Sequence, residues 1–431
     1  MNTIPLISTN TKLFGRLHTI INCSNMHDLY DLMLLTNTRA AEEFLTTEMP
    51  ELIFINFSDA KINTLQLLET ILHDPWLLHG GIIAICKDYQ TVEQVNAIRG
   101  TNILVSLTYN DLEKQLPSIL DIIHSNRRIL FQRGIGKDIV GALSGSFRMR
   151  NNVFEASCYV NLICNFLYNS NKLTVEKKYF YHLALYEMII NAIEHGNCGI
   201  TYDEKSRFLE GGGCMPDLIE QKCRDSIIAQ KSVTFDYTIH PTHARFVIAD
   251  EGEGFDWRGM IHNIPKEDAL RLHGRGIIIT RETVRKVTYN EKGNEVTLEI
   301  AYENEEKSKT PALFSHIDPI EVREGDTVIR QGDPSTFLYF IVKGKYAIIV
   351  NDKQMSTLSA DDIFMGEMSF LLNDRRSATV RAVTGGKLIK ITKREFVKAI
   401  KKKPHYALFL SRLLAQRIQR LNQSLAATNK P

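Results

Sequence analysis

The stretch Glu187-Met-Ile-Ile-Asn191, together with Asp250-Glu-Gly-Glu-Gly254 farther along the chain, decides the fold. Apolar residues recur at helical spacing before Asn191, so Glu187 and Asn191, four positions apart, project from one face of a packed helix. The apolar run 246–249 predicts a strand that leads directly into Asp250. Glycines let the backbone approach a flat ring or a phosphate, and an aspartate accepts a hydrogen bond from an exocyclic amine.

A second glycine-rich cluster, His273-Gly274-Arg275-Gly276, precedes the apolar run 277–279. This order predicts a turn at the start of a helix, where unpaired backbone amides favour phosphate. Each cluster alone is common on solvated helices, in turns and in loops. Because the three clusters follow one another along the chain with complementary chemistry, together they predict one nucleotide pocket.

The region from about residue 173 to 303 resembles the GHKL ATPase superfamily, and most closely the serine kinase domains that act as bacterial anti-sigma factors. The resemblance implies ATP and Mg²⁺ as ligands, with Asn191 holding the metal and Glu187 acting as the general base. Residues 255–272 correspond to the ATP lid of the superfamily. The other ATP-binding residues that the resemblance implies are Asp250, Gly252 and Gly254 at the adenine, Gly274, Arg275 and Gly276 at the phosphates, and Thr297 near the adenine.

The bulk composition is balanced in charge. Because 52 basic and 50 acidic residues leave a net charge of +2, it gives no reason to expect a nucleic-acid or membrane partner. The seven cysteines are odd in number and include no Cys-x-x-Cys pair, which argues against a disulfide framework and a zinc site. No apolar run approaches the roughly 20 residues that span a bilayer. We expect a cytoplasmic protein of about three domains, from the usual domain length.

Residues 1–125 alternate short apolar runs with helical stretches. The runs 52–55, 82–85 and 103–105 predict strands that are buried on both faces. Strands that alternate with helices in this way are typical of a doubly wound parallel sheet. We therefore expect an N-terminal α/β domain.

The run that ends at Asn56 resembles the strand of response-regulator receivers that ends in the phosphoacceptor aspartate. Asn22 and Cys23, which by this resemblance follow the first strand, match the family's acidic pair, and Ser106 matches its lysine. An amide cannot form an acyl phosphate, and Mg²⁺ needs carboxylates at such a site. The resemblance implies a flavodoxin-like pseudo-receiver that serves as a docking or dimerising surface. An unrelated α/β domain is the alternative.

Residues 126–150 are expected to form a connecting helix and a linker, and residues 151–305 the ATPase domain, an α/β sandwich. A long insert, residues 200–232, separates the first two nucleotide motifs, and the sequence does not indicate its function. Histidine kinases carry a phosphorylated histidine on a helix pair before such a domain. Residues 125–175 contain no histidine, which argues against that class.

Residues 312–403 show strand-like runs separated by glycine-containing turns, which predicts an antiparallel β-roll. Residues 364–380 resemble the phosphate-binding cassette of cyclic nucleotide-binding domains. The resemblance implies that Glu367 holds the ribose 2′-hydroxyl and that Arg376 binds the cyclic phosphate of cAMP or cGMP. The backbone amides that complete the implied cradle belong to Gly366, Ser377 and Ala378.

Residues 404–431 are expected to form a C-terminal helix and tail, because apolar residues recur at spacings of three and four over 406–425. This stripe packs on the β-roll or pairs with a second copy in a homodimer. Transcription factors with this type of sensor append a helix-turn-helix. Since the chain stops at Pro431, we expect no DNA binding.

These observations favour a cyclic-nucleotide-regulated, ATP-binding signalling protein. By the resemblance, it is a serine/threonine protein kinase that phosphorylates a protein partner, an anti-sigma antagonist or a sigma-like regulator. The alternative is a non-catalytic switch that binds ATP and sequesters a partner. A sensor histidine kinase ranks third.

Overall fold

The structure is a computed structural model, and it describes most of the chain. Among the described residues, every helix is too short or too polar to cross a membrane. The described residues are 2–24, 27–72, 74, 77, 80–126, 142–170, 172–258, 284–302, 314, 316–404, 406–408, 410–411 and 414–415.

The N-terminal α/β domain contains one parallel sheet. Its strands are β1 (Asn2–Ile7), β2 (Tyr30–Leu35), β3 (Leu52–Asn56), β4 (Gly81–Cys86) and β5 (Ile103–Thr108). Its helices are α1 (Thr11–Asn22), α2 (Thr38–Glu48), α3 (Thr64–Leu72), α4 (Tyr89–Asn96) and α5 (Leu112–Ser125). The strand order β2-β1-β3-β4-β5 is that of flavodoxin-like doubly wound folds. Every residue of β3, β4 and β5 is buried, as expected for parallel strands with helices on both faces.

The first strand of this domain lies earlier in the chain than the sequence pattern predicted. Ser8 and Thr9 follow β1, whereas Asn22 ends α1 and Cys23 caps that helix. The match of Asn22 and Cys23 to the receiver family's acidic pair is therefore wrong. β1 is hard to predict from the sequence because it contains Pro5, and a proline inside an apolar run argues against a central strand.

The second domain packs helices on an antiparallel sheet. Its strands are β6 (Leu143–Met149), β7 (Val233–Ile239), β8 (His243–Ala249), β9 (Lys286–Tyr289) and β10 (Glu295–Ala301). The helices before the insert are α6 (Val153–Asn169) and α7 (Val175–Asn191). The sheet order is β6-β7-β8-β10-β9, and side chains along β7, β8 and β10 alternate between more and less buried. The buried face carries α6 and α7, so this domain is an α/β sandwich.

Residues 143–149 were expected to belong to the linker, but they form β6, which pairs with β7 along its whole length. Its sequence contains two serines and a glycine and no β-branched residue, so it has little strand propensity of its own. The strand is stabilised instead by its pairing with β7 and by the packing of Phe147 against Phe235. The predicted connecting helix falls mainly on residues 127–141, which lie outside the described residues.

The insert between α7 and β7 is helical. A π-helix, Ala192–Asn197, continues directly from α7. It is followed by α8 (Tyr202–Glu210), α9 (Met215–Lys222) and α10 (Ser226–Gln230). Thr201 caps α8 and Asp225 caps α10 through side-chain oxygens, so these helix starts are encoded locally.

The third domain is a β-roll of two antiparallel sheets. Its strands are β11 (Ile320–Val322), β12 (Thr327–Ile329), β13 (Phe337–Lys343), β14 (Tyr346–Val350), β15 (Lys353–Leu358), β16 (Phe364–Met365), β17 (Thr379–Ala382) and β18 (Gly386–Thr392). The sheet orders are β11-β18-β13-β16 and β12-β17-β14-β15. Two helices accompany them, α11 (Glu367–Leu372) and α12 (Lys393–Lys402). This architecture confirms the predicted antiparallel β-roll.

The helix predicted over 406–425 falls largely outside the described residues. In its described part, Tyr406 and Leu410 are buried, and the Tyr406 ring lies 6.0 Å from that of Phe314. This part of the stripe therefore packs on the β-roll domain.

The N-terminal α/β domain shares buried surface with both other domains. Toward the sandwich, Asn161 on α6 donates to the Leu104 carbonyl at 3.0 Å, and Lys178 on α7 donates to the Thr101 carbonyl at 2.6 Å. Both acceptors lie at or just before the edge strand β5, so the sandwich covers an edge that is otherwise free to pair with other chains. Toward the β-roll, one continuous hydrophobic cluster spans the two domains.

In the wild-type protein, the free energy of unfolding is expected to rise with pH between about pH 8 and 10.5 because of Lys178, and Lys178→Met is expected to remove this rise. Burial lowers the pKa of Lys178 to about 8 from its ordinary value of 10.5, so within this window the unfolded chain keeps a proton that the folded chain has lost. The stability of the wild-type protein therefore increases with pH there by the contribution of this group. Thermal unfolding of both proteins across the window measures the difference, and parallel curves would contradict the prediction.

Candidate functional site

A cavity of about 320 Å³ opens between α7, the π-helix and strands β8 and β10. Met188, Ile248 and Val296 give it an apolar wall. Asn191 from the first sequence motif and Asp250 from the second line the same cavity, although 58 residues lie between them in the sequence. An amide and a carboxylate therefore face one largely apolar space.

The glycines of the second motif permit close packing of the chain on itself. A Cβ atom at Gly252 would lie 2.3 Å from the carbonyl oxygen of Gly196, and one at Gly196 would lie 2.4 Å from the Asp250 carboxyl carbon. Gly254 has a φ of +81°, and its Cβ would lie 1.9 Å from the Lys292 carbonyl oxygen. These glycines let the loop seat Asp250 against the π-helix, and Gly254 itself lines the cavity.

The Asp250 side chain is held from one side. Its Oδ1 atom accepts the Gly252 backbone N–H at 2.8 Å, and its backbone is fixed by Asn294, which accepts from the Asp250 N–H at 3.0 Å and donates to its carbonyl at 2.9 Å. Burial raises the pKa of Asp250, while the Gly252 amide and the charge of Lys292 oppose the rise. The carboxylate is therefore oriented before any ligand arrives.

Asn197, at the end of the π-helix, joins the two motifs and was not singled out in the sequence. It is 1% exposed. Its Nδ2 donates to Oδ1 of Asn151 at 2.8 Å, and its Oδ1 accepts the backbone N–H of Glu251 at 2.8 Å. A buried amide bonded on both sides fixes the loop after Asp250 to the π-helix. Its position directly after Gly196 was the only available signal.

Glu187 lies one helical turn before Asn191 on α7 and is not among the residues that line the cavity. Its side chain is half-buried. Burial raises the pKa of Glu187, the nearby Lys205 lowers it, and Glu194 raises it. The helix spacing that the sequence predicted is therefore present, with Asn191 on the cavity and Glu187 beside it.

Three predicted ATP-binding residues, Gly274, Arg275 and Gly276, lie outside the described residues, as do lid residues 259–272. Their assignment to the phosphates stays a prediction.

Thr297 is placed on the wrong face of its strand for the predicted role. It lines a surface cleft with Arg245, Lys286 and Glu299 on the far side of the sheet. Its neighbour Val296 lines the cavity instead. Because side chains alternate between the two faces of a strand, a position one residue away from the correct one faces the opposite side.

The insert contributes to the cavity through Thr201 and Tyr202. The Tyr202 ring lies 4.6 Å from that of His195, which also lines the cavity, and His195 Nδ1 lies 2.6 Å from the Ile200 carbonyl oxygen. On the opposite side, Phe255 and Tyr289 meet edge to face with ring centroids 5.5 Å apart. Sequence reasoning missed this aromatic lining, because it depends on contacts between distant segments.

The cavity suits a flat heteroaromatic base. Its walls are largely apolar and aromatic, and the oriented Asp250 carboxylate can accept a hydrogen bond from an exocyclic amine of such a base. Within the described residues, no group of three or more His, Cys, Asp or Glu side chains is arranged to hold a metal. A Mg²⁺ ion bound through a single protein oxygen, such as that of Asn191, and through ligand phosphates fits this set, since Mg²⁺ commonly retains waters and phosphate ligands.

A second candidate site lies in the β-roll around Arg376, which is 5% exposed. Its Nη1 donates to the Gly366 carbonyl at 2.8 Å and to Ser369 Oγ at 3.3 Å, and its Nη2 donates to the Phe337 carbonyl. Burial lowers the pKa of Arg376, while Tyr339, Glu367 and Asp333 raise it. The guanidinium is therefore held in place by the backbone of the roll.

Glu367 begins α11 and is 5% exposed, so it is buried close to Arg376. Gly366 has a φ of +76°, and a Cβ atom there would lie 2.3 Å from Nη1 of Arg376. Ser377 is exposed and Ala378 is half-buried directly after the arginine. Of the five residues that the sequence singled out, four thus lie beside the fifth, the buried Arg376.

The carboxyl edge of the N-terminal sheet carries a closed hydrogen-bond network. Asn56 Nδ2 donates to Ser8 Oγ at 2.9 Å, and Asn56 Oδ1 accepts from the Tyr109 hydroxyl at 3.0 Å. The Asp59 carboxylate accepts from Ser8 Oγ at 3.0 Å and from Thr9 Oγ1 at 2.9 Å. Ser106 is not at this edge of its strand, since it lies within β5 and donates to Asn96.

Two segments of the chain match known protein families. Residues 160–300 match the histidine kinase-like ATPase domain, and residues 319–403 match the cyclic nucleotide-binding domain. The chain therefore contains a histidine kinase-like ATPase domain and a C-terminal cyclic nucleotide-binding domain.

Individual proteins match shorter stretches of the chain. The cGMP-dependent protein kinase of Plasmodium berghei is 34% identical over 90 residues, which are 21% of this chain and 10% of that protein. The cAMP-dependent protein kinase type II regulatory subunit of Drosophila melanogaster is 35% identical over 91 residues, 21% of this chain and 24% of that protein. The crystal structure of Thermus thermophilus catabolite activator protein matches 27% of this chain and 56% of its own, with 25% identity and a TM-score of 0.25. The chain thus spans less than two thirds of the length of each of these relatives.

Proposed function

We propose that this chain is a cyclic-nucleotide-regulated, ATP-binding signalling protein whose ATPase domain phosphorylates a serine or threonine of a protein partner. One observation carries the proposal. Asn191 and Asp250, from two separate sequence motifs, line one cavity, and Glu187 lies one helical turn from Asn191. The match to an ATPase domain supports ATP as one ligand, and the match to a cyclic nucleotide-binding domain supports a cyclic nucleotide as the other.

Adenine occupies the cavity between the apolar wall and the aromatic side chains. The Asp250 carboxylate accepts from the exocyclic amine of the base with the oxygen that does not bind the Gly252 amide. Asn191 would hold Mg²⁺ through its side-chain oxygen, and the metal would neutralise charge on the triphosphate. Gly274, Arg275 and Gly276 are assigned to the phosphates by motif.

Transfer proceeds by attack of the partner's hydroxyl oxygen on the γ-phosphorus. The bond to the oxygen that bridges the β- and γ-phosphates breaks, and ADP leaves. Glu187 accepts the proton of the attacking hydroxyl. Burial raises the pKa of Glu187, and a base whose pKa lies closer to the operating pH is a more effective proton acceptor.

The β-roll binds cAMP or cGMP as an effector. Arg376 grips the cyclic phosphate and Glu367 takes the ribose 2′-hydroxyl, while amides near Gly366, Ser377 and Ala378 complete the cradle. The burial of both charged side chains supports this role, because a buried carboxylate and guanidinium are costly unless they are paired or bind a ligand.

The N-terminal α/β domain acts as a pseudo-receiver that links the two nucleotide sites. Its strand order and the position of Asn56 at the end of β3 support the receiver resemblance. Asn56 cannot form an acyl phosphate, and the carboxylate of Asp59 is occupied by Ser8 and Thr9. The domain instead packs against the sandwich and against the β-roll through buried hydrophobic residues.

The phosphorylated partner is, by the family resemblance, an anti-sigma antagonist or a sigma-like regulator. The second candidate function is a non-catalytic switch that binds ATP and sequesters such a partner. The position of Glu187 outside the cavity lining is the observation that favours it. Turnover separates the two, because a switch releases no ADP and yields no phosphorylated partner.

Replacing Asp250 by Asn is expected to weaken ATP binding by about 10- to 100-fold, the size of one charge-assisted hydrogen bond. An asparagine offers only one acceptor oxygen, so it cannot accept the Gly252 amide and a base amine on separate oxygens. Glu253→Gln is the matched control, since Glu253 is an exposed neighbour in the same loop. Calorimetry with MgATP tests both variants. Equal affinity in Asp250→Asn and wild-type protein, or no binding by the wild-type protein, would overturn the proposed site.

A further inference from the structure

Lys205, on the insert helix α8, forms an ion pair that crosses to the π-helix. Its Nζ lies 2.6 Å from Oε2 of Glu194, and the Glu194 side chain is only 2% exposed. A carboxylate buried to this degree needs a compensating charge, and removal of one partner from such a pair typically costs several kcal/mol. Lys205 therefore ties the start of the insert to the π-helix that directly follows Asn191.

The docking of α8 depends on few contacts. None of its residues is fully buried, and Phe208 packs only partly against the domain core. An ion pair of 2.8 Å between Glu204 and Lys222 joins it to α9. With so little buried apolar surface, the pair between Lys205 and Glu194 is a principal determinant of where α8 sits.

Tyr202, in the first turn of α8, lies where this docking matters most. It lines the nucleotide cavity and packs on His195, while 38% of its surface stays exposed. Thr201 caps the helix by accepting the Glu204 N–H at 3.2 Å, so the direction in which the chain enters α8 is fixed. An aromatic ring that is half-open at a cavity mouth, and fixed by its neighbours, is suited to cover a flat base.

We propose that the insert is part of the nucleotide site, with Tyr202 as a base-contacting residue that closes the cavity and Lys205 as the residue that positions it through Glu194. The inference rests on the proposed ATP binding, and it identifies a specificity-determining wall that the two nucleotide motifs do not contain. Stacking of a base on an aromatic side chain is worth about 1–3 kcal/mol. Loss of the Tyr202 ring is therefore expected to weaken nucleotide binding by roughly 5- to 150-fold.

The test compares calorimetric affinities of the full chain for MgATP, ADP and inorganic tripolyphosphate. Tyr202→Ala is expected to lose affinity for both nucleotides, whereas Tyr202→Phe keeps it. Tripolyphosphate, which has no base, is expected to bind all variants equally. Leu209→Ala is the matched control, since Leu209 is an exposed residue of the same helix that does not line the cavity.

The positioning role of Lys205 is tested separately. Lys205→Met leaves Tyr202 intact and is expected to weaken MgATP binding by a smaller factor than Tyr202→Ala does. Lys205→Arg keeps the positive charge and is expected to bind MgATP as the wild-type protein does. If Lys205→Met does not fold, the same measurement is made on the double variant Glu194→Gln/Lys205→Met, which leaves no unpaired buried charge. Wild-type affinity in Tyr202→Ala, or equal losses for tripolyphosphate and ATP, would overturn the inference alone. Failure of the wild-type chain to bind any adenine nucleotide would instead overturn the proposed function, and the inference with it.

Discussion

Replacing Glu187 by Gln lowers the rate of ATP-dependent phosphotransfer by about 10²- to 10⁴-fold, the usual contribution of a general base, and leaves ATP affinity unchanged. Glutamine has nearly the same shape as glutamate, but its amide cannot take the proton of an attacking hydroxyl. Since Glu187 does not line the cavity, its replacement removes no contact to the base. The expected signature is a fall in kcat without a rise in the KM for ATP.

Glu176→Gln is the control for this experiment. Glu176 lies in the first turn of the same helix, α7, and is exposed, so the variant makes the same chemical change far from the cavity. Its turnover is expected to equal that of the wild-type protein. Release of ADP and incorporation of γ-phosphate into an acid-stable phosphoprotein are the two measurements. Acid-labile phosphate would indicate a histidine kinase.

The pH dependence of turnover provides an independent check on Glu187. Because burial raises its pKa above the ordinary value of 4.5, the acidic limb of the rate profile lies above that pH. Activity rises with pH through this limb, since the deprotonated form is the acceptor. The limb disappears in Glu187→Gln. Equal rates for Glu187→Gln and wild-type protein would exclude Glu187 as the base, and a wild-type chain that binds ATP without turnover would establish the non-catalytic switch.

Helical spacing was the most reliable guide to this site. Glu187 and Asn191 are four positions apart, so on a helix their side chains project from the same face, and the structure has this spacing in α7. The strand before Asp250 is similarly local, because buried apolar runs that end in Asp-x-Gly-x-Gly have few alternatives. Signals contained within a few residues can be interpreted without knowledge of the rest of the fold.

Strand positions were harder to assign because a strand has a period of two. Thr297 was assigned one position away from Val296, and that single step moved it to the other face of β10. β1 was missed because Pro5 weakens its pattern, although Pro5 lies in a strand paired on both sides. β6 is formed by pairing with a strand that begins 84 residues after its own last residue, and no local pattern shows this.

Contacts between distant segments account for the rest of the site. Asn197 joins Asn151 to Glu251, and Tyr202 lines the cavity from the helix on which Lys205 pairs with Glu194. Each of these residues is ordinary in its local sequence. The partners of this buried amide and of the buried Glu194 carboxylate come from distant segments, so the sequence alone did not indicate a role for the insert.

Replacing Arg376 by Met is expected to weaken binding of cAMP or cGMP by about two to three orders of magnitude. Truncating one side of a buried, hydrogen-bonded charge pair costs about 2–5 kcal/mol, and the cyclic phosphate loses its only proposed cationic partner. Arg376→Lys keeps the charge but not the planar fork that bonds Gly366 and Phe337, so it is expected to recover only part of the affinity.

Arg375→Met is the matched control for this second prediction. Arg375 is the exposed neighbour and donates to the Gly332 carbonyl at 2.8 Å, so its loss removes one positive charge from the same loop without touching the buried cradle. Calorimetry with each cyclic nucleotide, with thermal unfolding run in parallel, separates lost binding from lost folding. If Arg375→Met weakens binding as much as Arg376→Met, the effect is one of surface charge and the cradle assignment fails. If the wild-type chain binds neither ligand, the β-roll is a scaffold in which Arg376 only holds the backbone together through Gly366, Ser369 and Phe337.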